Sequence, residues 1–202
     1  MNLLEPRRMS VKVFAEEPVS VAPEALVPIF QGWVRDDALS HRVMIDVADY
    51  THVAEGPGVI LICHGGHYSY DLGGGRPGLR CTLTRAVYGG AEDPISLLLG
   101  FALDACALLE EETGLQGALR FRTDELLFRV EDRLAAPHTP EAFREARRLI
   151  GWSLAALYAS AAEVAIEPVG DAREPLGLRV QVPGAPPLAT LRRRLARPKA
   201  AC

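Results

Sequence analysis

Apolar positions recur along the chain at two spacings, one that fits strands and one that fits helices. Val11, Lys12, Val13 and Phe14 make a short alternating strand, and residues 1–10 before it read as a flexible leader. Pro23 and Glu24 open a helix, proline being suited to the first helical position. Leu26, Val27, Phe30, Trp33 and Val34 follow at helical spacing, and Pro28 inside that pattern is expected to kink or break it. Residues 43–47 read as a second strand and 55–58 as a turn. The unbroken apolar run 59–63 reads as a strand buried on both faces. Residues 67–71 and 79–87 flank Gly73, Gly74, Gly75, Arg76, Pro77 and Gly78, which predicts a hairpin with a glycine-rich loop.

The second half repeats these signals. Asp93 and Pro94 give a clean helix start, an N-cap residue followed by proline. Ile95, Leu98, Leu99, Ala102, Leu103, Cys106 and Leu109 hold one face of that helix, and Gly114 stops it. Residues 118–122 and 126–132 read as two strands with Thr123, Asp124 and Glu125 turning between them. Thr139, Pro140 and Glu141 open a third helix with the stripe Phe143, Ala146, Ile150, Leu154, Leu157 and Tyr158. Strands at 163–167 and 177–182 follow, then a basic tail over 191–202 with Arg192, Arg193, Arg194, Arg197 and Lys199.

These elements predict an α+β fold: a mainly antiparallel sheet with about three packed helices, in one domain over 11–190. An internal duplication fits the pattern. Val13 precedes Pro23, Glu24 and Ala25 by the same interval as Val130 precedes Pro140, Glu141 and Ala142. Each triplet opens a helix with a tryptophan, Trp33 or Trp152, and two strands follow each helix. The expectation is two ferredoxin-like βαββ units, 11–63 and 127–182, separated by an insertion at 64–126. Trp33, Trp152 and Cys106 are expected in the core.

Composition narrows the class. A chain of 202 residues that is 49% hydrophobic and 24% charged can bury a sizeable core. Its net charge of −4 argues against a nucleic-acid binder, which carries a basic face. Only Lys12 and Lys199 are lysines, a bias that fits a GC-rich genome better than a function built on arginine. The cysteines Cys63, Cys81, Cys106 and Cys202 show no CxxC spacing. No apolar run approaches the roughly 20 residues of a membrane span. A cytoplasmic protein with reduced thiols, with no membrane partner, is the expectation.

Candidate chemistry concentrates in Cys63–Asp71 and the glycines after it. His52, His64 and His67 with Asp71 are the candidate metal ligands, since imidazole and carboxylate together suit zinc or iron. Residues three apart on a strand face opposite sides, so the segment would have to turn for His64 and His67 to converge. Gly74, Gly75 and Arg76 are the candidate anion site: successive amides form a nest and the guanidinium adds a bidentate contact. The loop joins two strands and lacks the helix of a P-loop, so a plain hairpin tip competes with that reading. Cys63 or Ser69 beside a histidine would be a nucleophile, but no G-x-S-x-G elbow accompanies them.

Residues 45–53 with Gly56, Pro57, Gly58 and Val59, and residues 121–126 with 132–141, resemble blocks of a family of bacterial conserved hypothetical proteins. The resemblance implies no activity, no cofactor and no site residue. Two function classes therefore stay open. The sequence favours a non-catalytic binding or structural module, with room for a homo-oligomer. The alternative is a metal-binding protein or metal-dependent enzyme built around Cys63–Asp71.

Overall fold

The computed structural model describes residues 6–53, 56–88, 93–159 and 164–195. Its strands are β1 (Arg8–Ala15), β2 (Met44–Tyr50), β3 (Gly58–Cys63), β4 (Gly66–Asp71), β5 (Gly78–Thr84), β6 (Phe121–Val130), β7 (Ala165–Val169) and β8 (Leu176–Gln181). All pair antiparallel in one eight-stranded sheet of order β2-β3-β4-β5-β1-β6-β8-β7. The helices are α1 (Leu26–Asp36), the single turn α2 (Arg85–Tyr88), α3 (Pro94–Glu111), α4 (Pro140–Tyr158) and α5 (Leu188–Leu195). No helix among the described residues is long and apolar enough to cross a membrane.

Strand alternation decides which sheet face the helices cover. Met9, Val11 and Val13 of β1, Tyr68 and Tyr70 of β4, Leu79 and Cys81 of β5, and Leu126, Phe128 and Val130 of β6 share one face. They join α1, α3, α4 and α5 in one continuous core. α3 supplies its centre, with Leu98, Ala102, Leu103 and Cys106 buried, and starts at Asp93, whose carboxylate accepts from the amides of Ile95 and Ser96. Thr139 caps α4 in the same way through the Ala142 amide. The alternate residues, among them Ser10, Lys12, Ser69, Arg80, Thr82 and Arg129, point to the opposite face, against which none of these four helices packs.

Several expectations are corrected. Pro28 does not break α1, because it lies in the first turn, where the missing N–H has no intrahelical acceptor to lose. The leader is shorter than expected: β1 starts at Arg8, and Arg8 to Ser10 pair with both β5 and β6 or with β5 alone. Thr123, Asp124 and Glu125 make no turn. They belong to the continuous strand β6, where Arg122 bonds Asp124 along the same edge at 2.9 Å. The tail is helical through Leu195, held by buried Leu188 and Leu191. Trp33 and Cys106 are core, but Trp152 is 82% exposed, because it sits on the side of α4 opposite Ile150 and Leu154. Residues 1–5, Glu55, Glu163, Arg197, Lys199 and Cys202 lie outside the described residues.

The element orders β1-α1-β2-β3 and β6-α4-β7-β8 are both present, but their strands are arranged differently. β8 lies directly beside β6, whereas β4 and β5 separate β3 from β1. Residues 64–126 are therefore no appended insertion. They place two strands in the middle of the sheet and supply its central helix.

Burial of neutral acids makes the fold sensitive to alkali. Burial pushes the Cys81 thiol from its ordinary 9.0 up to about 12 and the Tyr70 hydroxyl from 10.0 up to about 12. Cys106 and Tyr68 are raised in the same direction. These groups hold their protons in the fold while the unfolded chain loses them, so stability falls as pH rises above about 9. Lys12 opposes this, since burial lowers its pKa and the unfolded chain binds the extra proton, but it is a single group against six, Cys63 and Tyr158 being raised by burial as well. The urea midpoint followed by tryptophan fluorescence is expected to be lower at about pH 10.5 than at about pH 8. An equal or higher midpoint at the alkaline pH refutes this assignment.

Candidate functional site

The open face buries polar groups without a helix to cover them. Ser10, Lys12, Ser69, Asp71, Thr82 and Glu125 are all buried there. A cavity of about 580 Å³ explains how: its lining runs from Gly56 and Pro57 ahead of β3 to Val169 and Gly170 at the end of β7. The sheet thus curls around the cavity, as twisted antiparallel sheets do, and its side chains cover one another.

Basic residues dominate the cavity. Lys12, Arg76, Arg80, Arg129 and Arg179 line it, against the carboxylates of Asp71 and Glu174. Strand register sets their places. Lys12 on β1 is opposite Arg80 on β5. Arg129 on β6 is opposite Ser10, one pleat along from Lys12, and Arg179 on β8 is opposite Leu127. One cation thus comes from each of four adjacent strands.

The cations differ in how tightly the protein pairs them. Lys12 Nζ, 1% exposed as a residue, donates to Asp71 Oδ1 at 2.5 Å and to the Gly73 carbonyl at 3.3 Å. Arg80 reaches the other Asp71 oxygen at 2.9 Å. Arg76 donates twice to Glu125, at 2.7 and 2.8 Å, and its guanidinium lies 4.0 Å from the centre of the Phe14 ring. That pairing holds the Glu125 carboxyl below its usual range. By contrast, Arg129 approaches Glu174 only to 4.0 Å, and Arg179 approaches Glu125 only to 3.5 Å. The Nε–H groups of Arg80 and Arg129 are buried and have no hydrogen-bond partner among the described residues. A buried donor left in that state costs free energy that an incoming acceptor recovers.

The four candidate metal ligands are not brought together. His52 stands exposed in the turn after β2, and His64 stands exposed in the turn between β3 and β4, at the opposite end of β3. His67 faces the open side of β4, half-buried, with desolvation holding its imidazole below its ordinary pKa. Asp71 lies four residues further along that strand, about 13 Å away by strand rise, and is occupied by Lys12 and Arg80. Among the described residues no three His, Cys, Asp or Glu side chains form a metal-ligand group. The glycines between the histidines have a backbone reason. Gly65 turns the hairpin at φ +70°, and a Cβ on Gly66 would stand 2.0 Å from the Thr82 carbonyl oxygen.

The glycine loop borders the cavity. Gly74 and Gly75 both have positive φ, which allows the tight turn there, and Gly73 and Gly74 line the rim. The Gly73 amide donates to Asp71 at 3.1 Å and the Gly75 amide to the Leu72 carbonyl, so these two amides serve the loop itself. Arg76 belongs to the cavity wall through Glu125. Ser69 stands opposite Arg80 of β5, and Cys63 lies on the helical face with its thiol pushed up by burial.

Lys12, Arg80, Arg129 and Arg179 escaped the reading by motif. Their signal is a single cation set among apolar neighbours in four separate strands: Val11-Lys12-Val13, Leu79-Arg80-Cys81, Phe128-Arg129-Val130 and Leu178-Arg179-Val180. A strand that carries one charge at an otherwise apolar centre presents it on the face away from the core. A second groove, of about 850 Å³, lies between α3 and α5, but Asp104 and Arg192 within it pair with each other at 2.9 Å. No family model matches the chain, and no curated protein matches it either.

Removing one partner of the Lys12–Asp71 pair leaves a charge buried alone. Asp71→Asn is expected to cost about 3–5 kcal/mol of stability. The double change Lys12→Met, Asp71→Asn is expected to recover the part of that loss due to Lys12, while Arg80, which also loses its acceptor, stays unpaired. Urea denaturation of the three proteins measures both steps, and a double variant no more stable than Asp71→Asn contradicts the argument.

Proposed function

We propose that the protein is a non-catalytic binding module whose curled sheet takes a small anionic ligand, a phosphate or carboxylate compound, in the cavity of the open face. The observation that carries this is the uneven pairing of the cavity's cations. Arg129 and Arg179 hold carboxylates only at 4.0 and 3.5 Å, and the Arg129 Nε–H has no acceptor among the described residues. An oxyanion seated between them supplies what the protein does not, through charge-assisted hydrogen bonds. Arg80 and Lys12 extend the positive field on the far side, and Arg76 with Gly73 and Gly74 forms the rim. Among the described residues the one aromatic side chain in the wall is Phe14, which carries Arg76 against its ring. The metal-centred alternative has no convergent ligand set among the described residues to support it.

A duplicated origin fits the same site. The shift that carries Val13 onto Val130 and Pro23 onto Pro140 also carries Val11 onto Phe128. Val11 and Phe128 lie directly opposite one another where β1 meets β6. A twofold axis normal to the sheet at that pair exchanges β1 with β6 and carries Lys12 onto Arg129. On this reading the partner of β8 is β5, each beside its central strand, and β3 and β4 are the added hairpin. The two central cations of the cavity are then the same position in two copies.

Calorimetric titration of the full chain with inorganic phosphate, pyrophosphate and citrate tests the assignment. Binding that weakens with added salt is expected. Arg129→Gln and Arg179→Gln are each expected to weaken it by about tenfold, the loss of one charge-assisted bond. Arg144→Gln, on the exposed side of α4, is expected to leave it unchanged. Absence of binding for all three anions, or equal loss in Arg144→Gln, defeats the proposal.

A further inference from the structure

α3 carries a glycine that packing does not require. Gly100 lies in the interior of the helix, where glycine is less favourable than alanine. A Cβ on it would meet nothing within 4 Å, so no close approach accounts for the missing side chain. Gly100 borders the groove of about 850 Å³ between α3 and α5. Leu97, Phe101, Ala189 and Leu195 line the groove with it and make much of its wall apolar, and Asp104 and Arg192 in the same wall neutralise each other.

A charge without a counter-ion stands behind that wall. Arg42 is 5% exposed, and its Nε and Nη2 have no hydrogen-bond partner among the described residues. No described carboxylate forms an ion pair with it. Its guanidinium lies beside the Cys63 thiol and 5.2 Å from the centre of the Phe101 ring, on which His41 also stacks at 4.6 Å. Phe101 and His41 both line the groove. A guanidinium is not deprotonated in proteins, so burial leaves the charge in place. A ring face and a thiol offset only part of the cost of desolvating it.

We infer that the groove is a second binding site, for a carboxylate with an apolar body such as a medium-chain fatty acid, its head paired with Arg42 and its chain lying over Gly100 and Phe101. The unpaired guanidinium calls for one negative charge, and the room above Gly100 is bounded largely by apolar side chains. The head enters past His41, which stands exposed in the turn between α1 and β2. Arg193, the other cation of the groove, is exposed to water and donates to Thr190 at 3.0 Å, so it lacks no partner. The groove lies on the helical side of the sheet and the cavity on the other, so this inference stands independently of what the cavity binds.

Calorimetric titration of the full chain with octanoate, octanol and acetate tests it. Octanoate is expected to bind, octanol to bind at least about tenfold more weakly for want of the charged head, and acetate to show no binding over the same range. Gly100→Leu is expected to abolish octanoate binding by filling the groove, while its urea midpoint is equal or higher, since leucine favours a helix more than glycine does. Arg42→Met is expected to weaken octanoate binding by about tenfold, with an unchanged circular dichroism spectrum and unchanged octanol binding. Arg129→Gln is expected to leave octanoate binding as it was. Octanoate that fails to bind, octanol that binds as tightly as octanoate, or an octanoate affinity that survives Gly100→Leu overturns the inference.

Discussion

Lys12 carries an ammonium group into the middle of a sheet with almost no solvent access, and Asp71 at 2.5 Å is what makes that position tenable. The pair does more than neutralise. Asp71 has two oxygens, and they tie β4 to β1 through Lys12 and to β5 through Arg80. Its Oδ1 also accepts from the Gly73 amide, which fixes the start of the loop that rims the cavity. A buried pair of this kind is weak evidence for stability, because desolvation offsets most of its attraction. Its consequence here is geometric. It ties β1, β4, β5 and the glycine loop together, while the cations on β6 and β8 have carboxylates only at 4.0 and 3.5 Å.

Much of the architecture was legible in the sequence, and the reason is local. Asp93 and Pro94 mark a helix start that no tertiary contact needs to explain, and 59–63 and 66–71 alternate or run apolar as strands must. What escaped was set by long-range pairing. Thr123, Asp124 and Glu125 have turn-like composition, yet β6 runs through them, with Glu125 held by Arg76 from the loop before β5 and by Arg122 of its own strand. Trp152 looks like core by residue type, but burial on α4 is decided by angular position, and that position faces solvent. Residues 64–126 read as an insertion because sequence order does not reveal that β5 pairs with β1.

The candidate site was legible only at its rim. Histidines and glycines crowded between Cys63 and Gly75 attract notice, and the structure gives Gly65 and Gly66 the work of turning and packing a hairpin. The cavity's floor comes from four strands spread from Lys12 to Arg179. Their relation is a matter of register, since Lys12 meets Arg80 and Leu127 meets Arg179 only once β5-β1-β6-β8 is known. A local motif search cannot see such a set. A search for isolated charges at the centres of apolar strands can, because each such charge must leave the helical face.

Net charge misleads about this site for a related reason. The chain totals −4, which taken alone argues against an anionic partner. Yet charge acts where it is placed, and exposed charges more than a Debye length away, about 8 Å in physiological salt, are largely screened from the cavity. The acids spread along α4, Glu141 and Glu145, are spent on neighbouring arginines of the same helix. The basic residues of the cavity are instead brought to one face by strand register, where their fields add. A protein acidic in sum thus holds a locally cationic surface, and the anion it can take is decided by Arg129 and Arg179, whose carboxylate neighbours stand too far off to satisfy them.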